Sequence, residues 1–413
     1  MSKYGFNTSL LHIEEEKDRY GTTTVPVYQT SAFYQESAEK LGKIFENKAA
    51  GYSYTRVNNP TIDAFERRIT QLEGGFATIA CSSGMAALTN AFLNILQSGD
   101  EIVAAAGLYG GTVGLLNDLI PFGITTRYVK NNNPEEFEKL ITDRTKLVFA
   151  ETIGNPKLDV TDIKAVSSAA HSHNVPLIID NTTATAYLVR PIELGADIVV
   201  NSTSKYINGG GNAIGGALTD SGRFKWDIAK YPGMKDFVKF GPMAYIAKLR
   251  NDLFRNLGAC ISPQNSFLSC IGMETLGLRM ERQCFNALEI AKFLQQLRPD
   301  FIVNYPGLPE NPYHVLAKSQ FKHGAFGAVV TFRVGNRERA FHVMDELKIP
   351  YLLSNIGDIK TLVVHPASTL AVHLTEQEKA DSGVYDDLIR ISVGIEDIDD
   401  LKADFENAVK CLA

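Results

Sequence analysis

Short, almost uninterrupted apolar runs recur through the middle of this chain, each followed by a stretch of helical period. Leu177-Ile178-Ile179 and Ile198-Val199-Val200 are examples. A strand without polar alternation has both faces buried, which is the situation of a parallel sheet covered on each side by helices. Strands are expected at 77–81, 101–105, 125–129, 146–150, 175–179, 197–201 and 214–219. Helices are expected at 61–72, 85–96, 111–119, 134–141 and 162–173 between most of them. The first helix carries Ile62, Phe65, Ile69 and Leu72 at helical spacing and stops at Gly74-Gly75. Alternation of this kind over about 140 residues reads as a doubly wound α/β domain with a mostly parallel sheet.

The flanks differ. After Thr219 the alternation stops, and 222–257 reads as aromatic, charged helical loops. A long helix is expected at 265–297, then a connector, Tyr305-Pro306-Gly307-Leu308-Pro309, strands at 328–333 and 388–393, and a last helix at 398–411. This predicts a smaller C-terminal α+β domain. The N-terminal segment has the charged run Glu14-Glu15-Glu16-Lys17-Asp18-Arg19 and no strong amphipathic period before Ser37. A frayed tail is one reading. Tyr28, Tyr34, Tyr52 and Tyr54 favour an arm that docks on a partner subunit, because free tails are poor in aromatics. The expected organisation is an arm at 1–58, a large domain at 59–262 and a small domain at 263–413.

Composition excludes several classes. The 413 residues carry 41 basic and 47 acidic side chains, a net charge of -6. A nucleic-acid binder would show a basic footprint instead. Five cysteines in no CxxC spacing predict neither a disulfide framework nor structural zinc, and so a reducing, cytoplasmic setting. No stretch approaches about 18 unbroken apolar residues, so no membrane span is expected. His171 and His173 end a predicted helix, where a dipole role is expected rather than metal binding. No metal site is expected elsewhere.

In open α/β sheets ligands bind beyond the carboxyl ends of the strands. The residues expected there are Ser82-Ser83-Gly84, Gly107-Leu108-Tyr109-Gly110-Gly111-Thr112, Glu151-Thr152-Ile153-Gly154-Asn155-Pro156, Asp180-Asn181-Thr182 and Ser202-Thr203-Ser204-Lys205. Ser83-Gly84-Met85 opens a helix, and its free N–H groups suit a phosphate. Ser202 and Ser204 add hydroxyl donors. Asp180 closes an apolar strand, so its carboxylate needs a cation, which a protonated pyridine nitrogen would be. Tyr109 could stack on a flat ring. A desolvated Lys205 could form a Schiff base. Taken singly, each has an ordinary explanation: helix capping for the serines and the aspartate, a solvated charge for the lysine. Jointly, on one sheet edge, they match the requirements of pyridoxal 5'-phosphate. Other cofactors lack support, because no G-x-G-x-x-G stands at the first strand–helix turn and no G-x-x-x-x-G-K-[ST] occurs.

At these residues the chain resembles the Cys/Met-metabolism family of pyridoxal-phosphate enzymes, the cystathionine γ-synthase-like branch of fold type I. The resemblance spans nearly the whole chain. It rests on Tyr52-Ser53-Tyr54-Thr55-Arg56, Asn59-Pro60-Thr61, Ser82-Ser83-Gly84-Met85-Ala86-Ala87, Leu108-Tyr109-Gly110-Gly111-Thr112, Asp180-Asn181-Thr182, Ser202-Thr203-Ser204-Lys205-Tyr206, His365-Pro366-Ala367-Ser368 and Arg390-Ile391-Ser392-Val393-Gly394-Ile395-Glu396.

The resemblance implies roles. Lys205 is the Schiff-base lysine, Asp180 with Thr182 serves the pyridine ring, and Tyr109 stacks on it and assists catalysis. Ser83, Gly84, Met85, Ser202 and Ser204 hold the phosphate, and Tyr54 and Arg56 reach the phosphate of a neighbouring subunit. Arg390, Asn155 and Asn355 face the substrate, Arg390 on its α-carboxylate. Sites shared in a homo-oligomer, a dimer of dimers, are implied. Val25-Pro26-Val27-Tyr28-Gln29-Thr30-Ser31, Glu151 through Lys157, Leu257 through Asn265 and Asn355-Ile356-Gly357-Asp358 are similar to the O-acetylhomoserine sulfhydrylase subgroup of methionine biosynthesis. The implied reaction is γ-replacement, in which O-acetyl-L-homoserine and sulfide, or a thiol, give L-homocysteine and acetate. Gly111 stands where methionine γ-lyases have cysteine. Leu370-Ala371 and Gly209-Gly210 depart from the family's threonine-histidine and glycine-histidine near the substrate mouth. A cystathionine γ-synthase, a γ- or β-lyase, and a non-catalytic cofactor-holding protein are the alternatives.

Overall fold

Apolar strands dictate the centre of the fold in the computed structural model, which describes residues 4–12, 20–410 and 412. The charged run at 14–19, the first three residues and Cys411 lie outside the described residues. Seven strands form the large sheet: β1 Ala77–Cys81, β2 Glu101–Ala104, β3 Thr125–Tyr128, β4 Thr145–Glu151, β5 Leu177–Asp180, β6 Ile198–Asn201 and β7 Gly216–Asp220. Their order is β1-β7-β6-β5-β4-β2-β3. The β6, β5, β4, β2 and β3 pairings are parallel, whereas β7 runs antiparallel to both neighbours. The expected strands are all present within a residue or two. Leu147, Val148, Phe149, Leu177, Ile178, Ile179, Ile198 and Val199 are fully buried, as a sheet covered on both faces requires.

The helices around this sheet carry the boundary signals of their sequences. Pro60–Glu73 starts on Asn59, whose side chain accepts the Thr61 N–H, and ends on Gly74 at φ 69°. Ile163–Ser172 is capped by Asp162. His171 does more than face a helix dipole: its Nε2 pairs with Asp197 at 2.7 Å, and that hydrogen bond holds its pKa above the ordinary imidazole value.

A second sheet of five strands lies C-terminal: β8 Ile302–Asn304, β9 Val329–Arg333, β10 Tyr351–Leu352, β11 Leu362–Val364 and β12 Leu388–Ser392, in the order β10-β11-β12-β9-β8. Of these the sequence predicts only β9 and β12. The single helix expected at 265–297 is two, Pro263–Glu274 and Leu276–Leu297, which meet at Thr275 with φ -107°. The N-terminal segment contains two short helices, Phe6–Leu11 and Ala38–Phe45.

Candidate functional site

Parallel strands that end together bring their last residues to one edge. Asp180 and Glu151 are the final residues of β5 and β4 and are partners in register. Asp180 is thus the end of its strand rather than the residue after it. Its carboxylate accepts the Thr182 N–H at 2.8 Å and a hydrogen bond from the Thr182 side chain. No cation is among the groups acting on it, and burial raises its pKa. Thr182 Oγ1 also accepts the Ser202 N–H at 2.7 Å, so one hydroxyl joins the ends of β5 and β6.

The helix Gly84–Leu93 begins beside them. Ser83 Oγ accepts the Ala86 N–H at 3.0 Å and caps the helix. The Ala87 N–H goes to the Ser83 carbonyl. The Gly84 and Met85 N–H groups then have no hydrogen-bond partner among the described residues, and they lie at the positive end of the helix. A Cβ on Gly84 would stand 2.6 Å from Ser202 Cβ, so only glycine lets these two segments meet. Ser204 behaves differently from its neighbour: its hydroxyl donates to the Gly215 carbonyl at 3.1 Å and accepts the Gly215 N–H at 3.0 Å.

Lys205 Nζ donates to Asn355 Oδ1 at 2.5 Å. Burial, and then the charge of Arg390, lower its pKa. Arg390 on β12 is 2 % exposed. It donates through Nη1 to Asn155 Oδ1 at 3.1 Å and through Nη2 to the Asn355 carbonyl at 2.9 Å. Its Nε is buried without a hydrogen-bond partner among the described residues. Burial pushes its pKa down to about 10. A buried guanidinium held by neutral amides is prepared for a carboxylate from outside. Tyr109 precedes the helix Gly110–Asp118, and its ring remains 40 % exposed.

Two carboxylates complete the site. Glu151 accepts the Tyr109 N–H at 2.6 Å and the Asn155 backbone N–H. Burial, then the Asp180 charge, raise its pKa well above the carboxylate range. Glu73, 0 % exposed, accepts Asn201 Nδ2 at 2.7 Å and Asn181 Nδ2 at 3.4 Å. Burial moves its pKa up to about 7. Sequence reasoning placed Glu151 on the sheet edge without a role and missed Glu73. An acidic residue closing the apolar run Leu147-Val148-Phe149-Ala150 is the same signal that singles out Asp180.

Tyr54 and Arg56 lie elsewhere. Arg56 Nη1 donates to the Arg255 carbonyl at 2.5 Å, and its guanidinium stands 5.5 Å from the Tyr54 ring centroid. Both line an open cavity of about 2030 Å³ between residues 44–59, the helix Pro60–Glu73 and residues 240–255. Lys205, Asp180 and Arg390 do not line it. This cavity and the assembled chemistry are therefore separate places on the chain.

The residues present fit pyridoxal 5'-phosphate. A buried carboxylate lacking a cation, a lysine of lowered pKa, and free helix N–H groups in a cradle that a Cβ would fill are the three complements of that molecule. Among the described residues no cluster of three or more His, Cys, Asp or Glu could hold a metal ion, and no helix is long and apolar enough to cross a membrane.

Comparison with known proteins agrees. The family described as Cys/Met metabolism PLP-dependent enzyme matches residues 7–410. The chain is 43% identical to O-acetyl-L-homoserine sulfhydrylase of Leptospira meyeri, over 98% of this chain and 96% of that protein. It is 41% identical to homocysteine/cysteine synthase of Saccharomyces cerevisiae, over 98% and 97%. Among solved structures, a protein of Campylobacter jejuni described as an O-acetylhomoserine (thiol)-lyase superposes with a TM-score of 0.93 at 34% identity. The match covers 98% of this chain and 100% of that one, whose position 205 carries N'-pyridoxyl-lysine-5'-monophosphate.

Proposed function

This chain belongs to the Cys/Met metabolism PLP-dependent enzyme family, and from that premise we propose that it catalyses γ-replacement, converting O-acetyl-L-homoserine and sulfide to L-homocysteine and acetate. The full-length similarity to sulfhydrylases and homocysteine synthases supports the substrate pair. The observation that carries the reading is Arg390: a buried guanidinium without a carboxylate partner among the described residues, bridged through Asn355 to the lysine amine.

When bound, pyridoxal 5'-phosphate supplies an aldehyde for an amine and a ring that takes up electrons from the substrate Cα. Asp180 holds a proton at the ring nitrogen. The Gly84 and Met85 N–H groups, with Ser202, bind the phosphate. Arg390 and Asn155 bind the amino-acid carboxylate and so fix which Cα bond faces Lys205. Lys205 Nζ, its pKa lowered by burial and the nearby Arg390, takes the Cα proton and moves protons along the substrate. Acetate leaves Cγ and sulfide adds there. Tyr109, held by Glu151, covers the ring face. Tyr54 and Arg56, exposed on a cavity away from Lys205, serve the phosphate of a second copy of this chain. On this reading the segment 1–58 is an arm that crosses a subunit boundary, with a large domain at 59–262 and a small one at 263–413.

The test is Lys205→Ala. It abolishes homocysteine formation and the visible absorbance of bound cofactor. Turnover that survives the substitution overturns the assignment. Parallel incubations with cystathionine and with cysteine separate a synthase from a lyase.

A further inference from the structure

Cys81 is the last residue of β1, and Cys260 lies in the extended segment just before the helix Pro263–Glu274. The two face each other in an isolated antiparallel bridge. The Ser82 N–H donates to the Ala259 carbonyl at 2.8 Å. That bond joins the flanking residues, not the cysteines themselves, so Cys81 and Cys260 form a non-hydrogen-bonded pair. In such pairs the Cα atoms stand about 4.5 Å apart and the side chains leave on the same side. A disulfide needs Cα atoms about 4.4–6.8 Å apart, so the pair is within bonding reach by side-chain rotation.

The environment divides the labour between the thiols. Both are free. Cys81 is fully buried, and burial pushes its thiol pKa up. Glu66, Arg250 and Cys260 are the groups around it. Its sulfur makes only a 4.0 Å contact to the Ile79 carbonyl, which does not hold it in place. Cys260 is partly exposed. An oxidant from solvent therefore meets Cys260 first, and Cys81 stands opposite as the resolving thiol. The pair also borders the turn Ser82-Ser83 that opens the helix at Gly84. Neither cysteine takes part in the proposed reaction.

We propose that Cys81 and Cys260 are a reversible thiol–disulfide site, oxidised by low-molecular-weight disulfides, that ties the turn before Gly84 to the segment before Pro263. The Cys260 thiolate attacks one sulfur of the small disulfide, forms a mixed disulfide and releases one thiolate. The Cys81 thiolate then attacks the Cys260 sulfur, forms the internal bond and releases the second. The two cysteines lose two electrons and two protons, and the small disulfide becomes two thiols. Excess thiol runs the exchange backwards. Direct opposition across the bridge makes the second step intramolecular, which offsets the low thiolate fraction of Cys81.

The experiment uses the full chain with its cofactor, incubated with oxidised glutathione, then denatured and titrated for thiols. The count falls from five to three in the wild type and returns to five after excess reduced thiol. Peptide mapping recovers the 81–260 cross-link, and amide exchange of the Ser83–Met85 segment slows in the oxidised form. Cys260→Ser and Cys81→Ala form no internal bond. Cys81→Ala avoids burying a hydroxyl, and Cys260→Ser at the partly exposed position keeps the test open if Cys81→Ala does not fold. Five titratable thiols after oxidation overturn the proposal, as does a cross-link that maps to another pair or persists in Cys260→Ser. Absence of homocysteine synthesis would defeat the proposed function while leaving this result unaffected.

Discussion

Glu151 is the substitution that tests most directly how the site is held. Its carboxyl group accepts two backbone N–H groups, from Tyr109 at 2.6 Å and from Asn155, and stands in register with Asp180. It therefore joins Tyr109, proposed to cover the cofactor ring, to Asn155, proposed to face the substrate. In Glu151→Ala both donors lose their acceptor. A buried donor left unpaired costs about 1–3 kcal/mol, and no longer burying a carboxyl group returns part of that, so the fold loses on the order of 2 kcal/mol. The larger effect is geometric. A displacement of about 1 Å in a positioned group can lower a rate by roughly 100-fold. The expected kcat/KM for homocysteine formation is about 10- to 100-fold below wild type. Glu151→Gln keeps a carbonyl oxygen for the Tyr109 N–H and stays within about 5-fold, the equivalent of roughly 1 kcal/mol. The assay is steady-state kinetics with O-acetyl-L-homoserine and sulfide, beside urea unfolding of each variant. Glu151→Ala within twofold of wild type at an unchanged midpoint would refute the reasoning, and so would Glu151→Gln as impaired as alanine.

Two further outcomes follow from buried charges. Glu73 has its pKa raised from 4.5 to about 7 in the folded chain, so the folded state binds the extra proton between those values. Its contribution is full below pH 4.5 and is lost as pH rises through about 7, a change on the order of 3 kcal/mol. The urea midpoint of Glu73→Gln should therefore fall less than that of wild type between pH 5 and pH 8, and equal slopes would contradict the linkage. Arg390→Lys removes the planar fork that donates to Asn155 Oδ1 and the Asn355 carbonyl and that the proposed function sets on the substrate carboxylate. KM for the amino acid should rise by roughly 10- to 100-fold, about 1.5–3 kcal/mol, with kcat lowered less. An unchanged KM would assign the carboxylate to another group.

Much of the large sheet was legible because parallel strands buried on both faces carry their own signature, as Leu177-Ile178-Ile179 does. The direction of β7 was not. A parallel return from β6 needs a crossover of about a dozen residues or more, usually a helix. Here residues 202–215 fold into turns around Lys205 without a helix, and β7 comes back antiparallel. The short strands β8, β10 and β11 have two or three residues each, too few to show a period, and exist through pairing: β8 and β11 with strands about thirty residues away, β10 with β11. The break at Thr275 was hidden because the apolar period continues across it. At the site, Asp180 stood out as a charge ending an apolar strand. Glu73 looked like the last residue before a glycine stop, and only tertiary folding brings Asn181 and Asn201 against it.

Those carboxylates point to one physical conclusion. Asp180 raises the pKa of Glu151 and of Glu73, and each of the three is pushed up first by burial. Hydrogen bonds from Thr182, Tyr109, Asn155, Asn181 and Asn201 hold them, and none forms an ion pair among the described residues. Burial therefore favours their protonated, neutral forms, with Arg190 offsetting this in part at Glu73, and ionising any of them in the folded chain costs free energy unless something cationic binds there. The protonated pyridine ring proposed to meet Asp180 would supply that charge in the folded site. The free chain should then be the less stable form. Cofactor at about 100 times its dissociation constant stabilises the fold by roughly 2.7 kcal/mol. An Asp180 carboxylate beside the ring nitrogen would likewise favour the ring proton on which the proposed reaction depends.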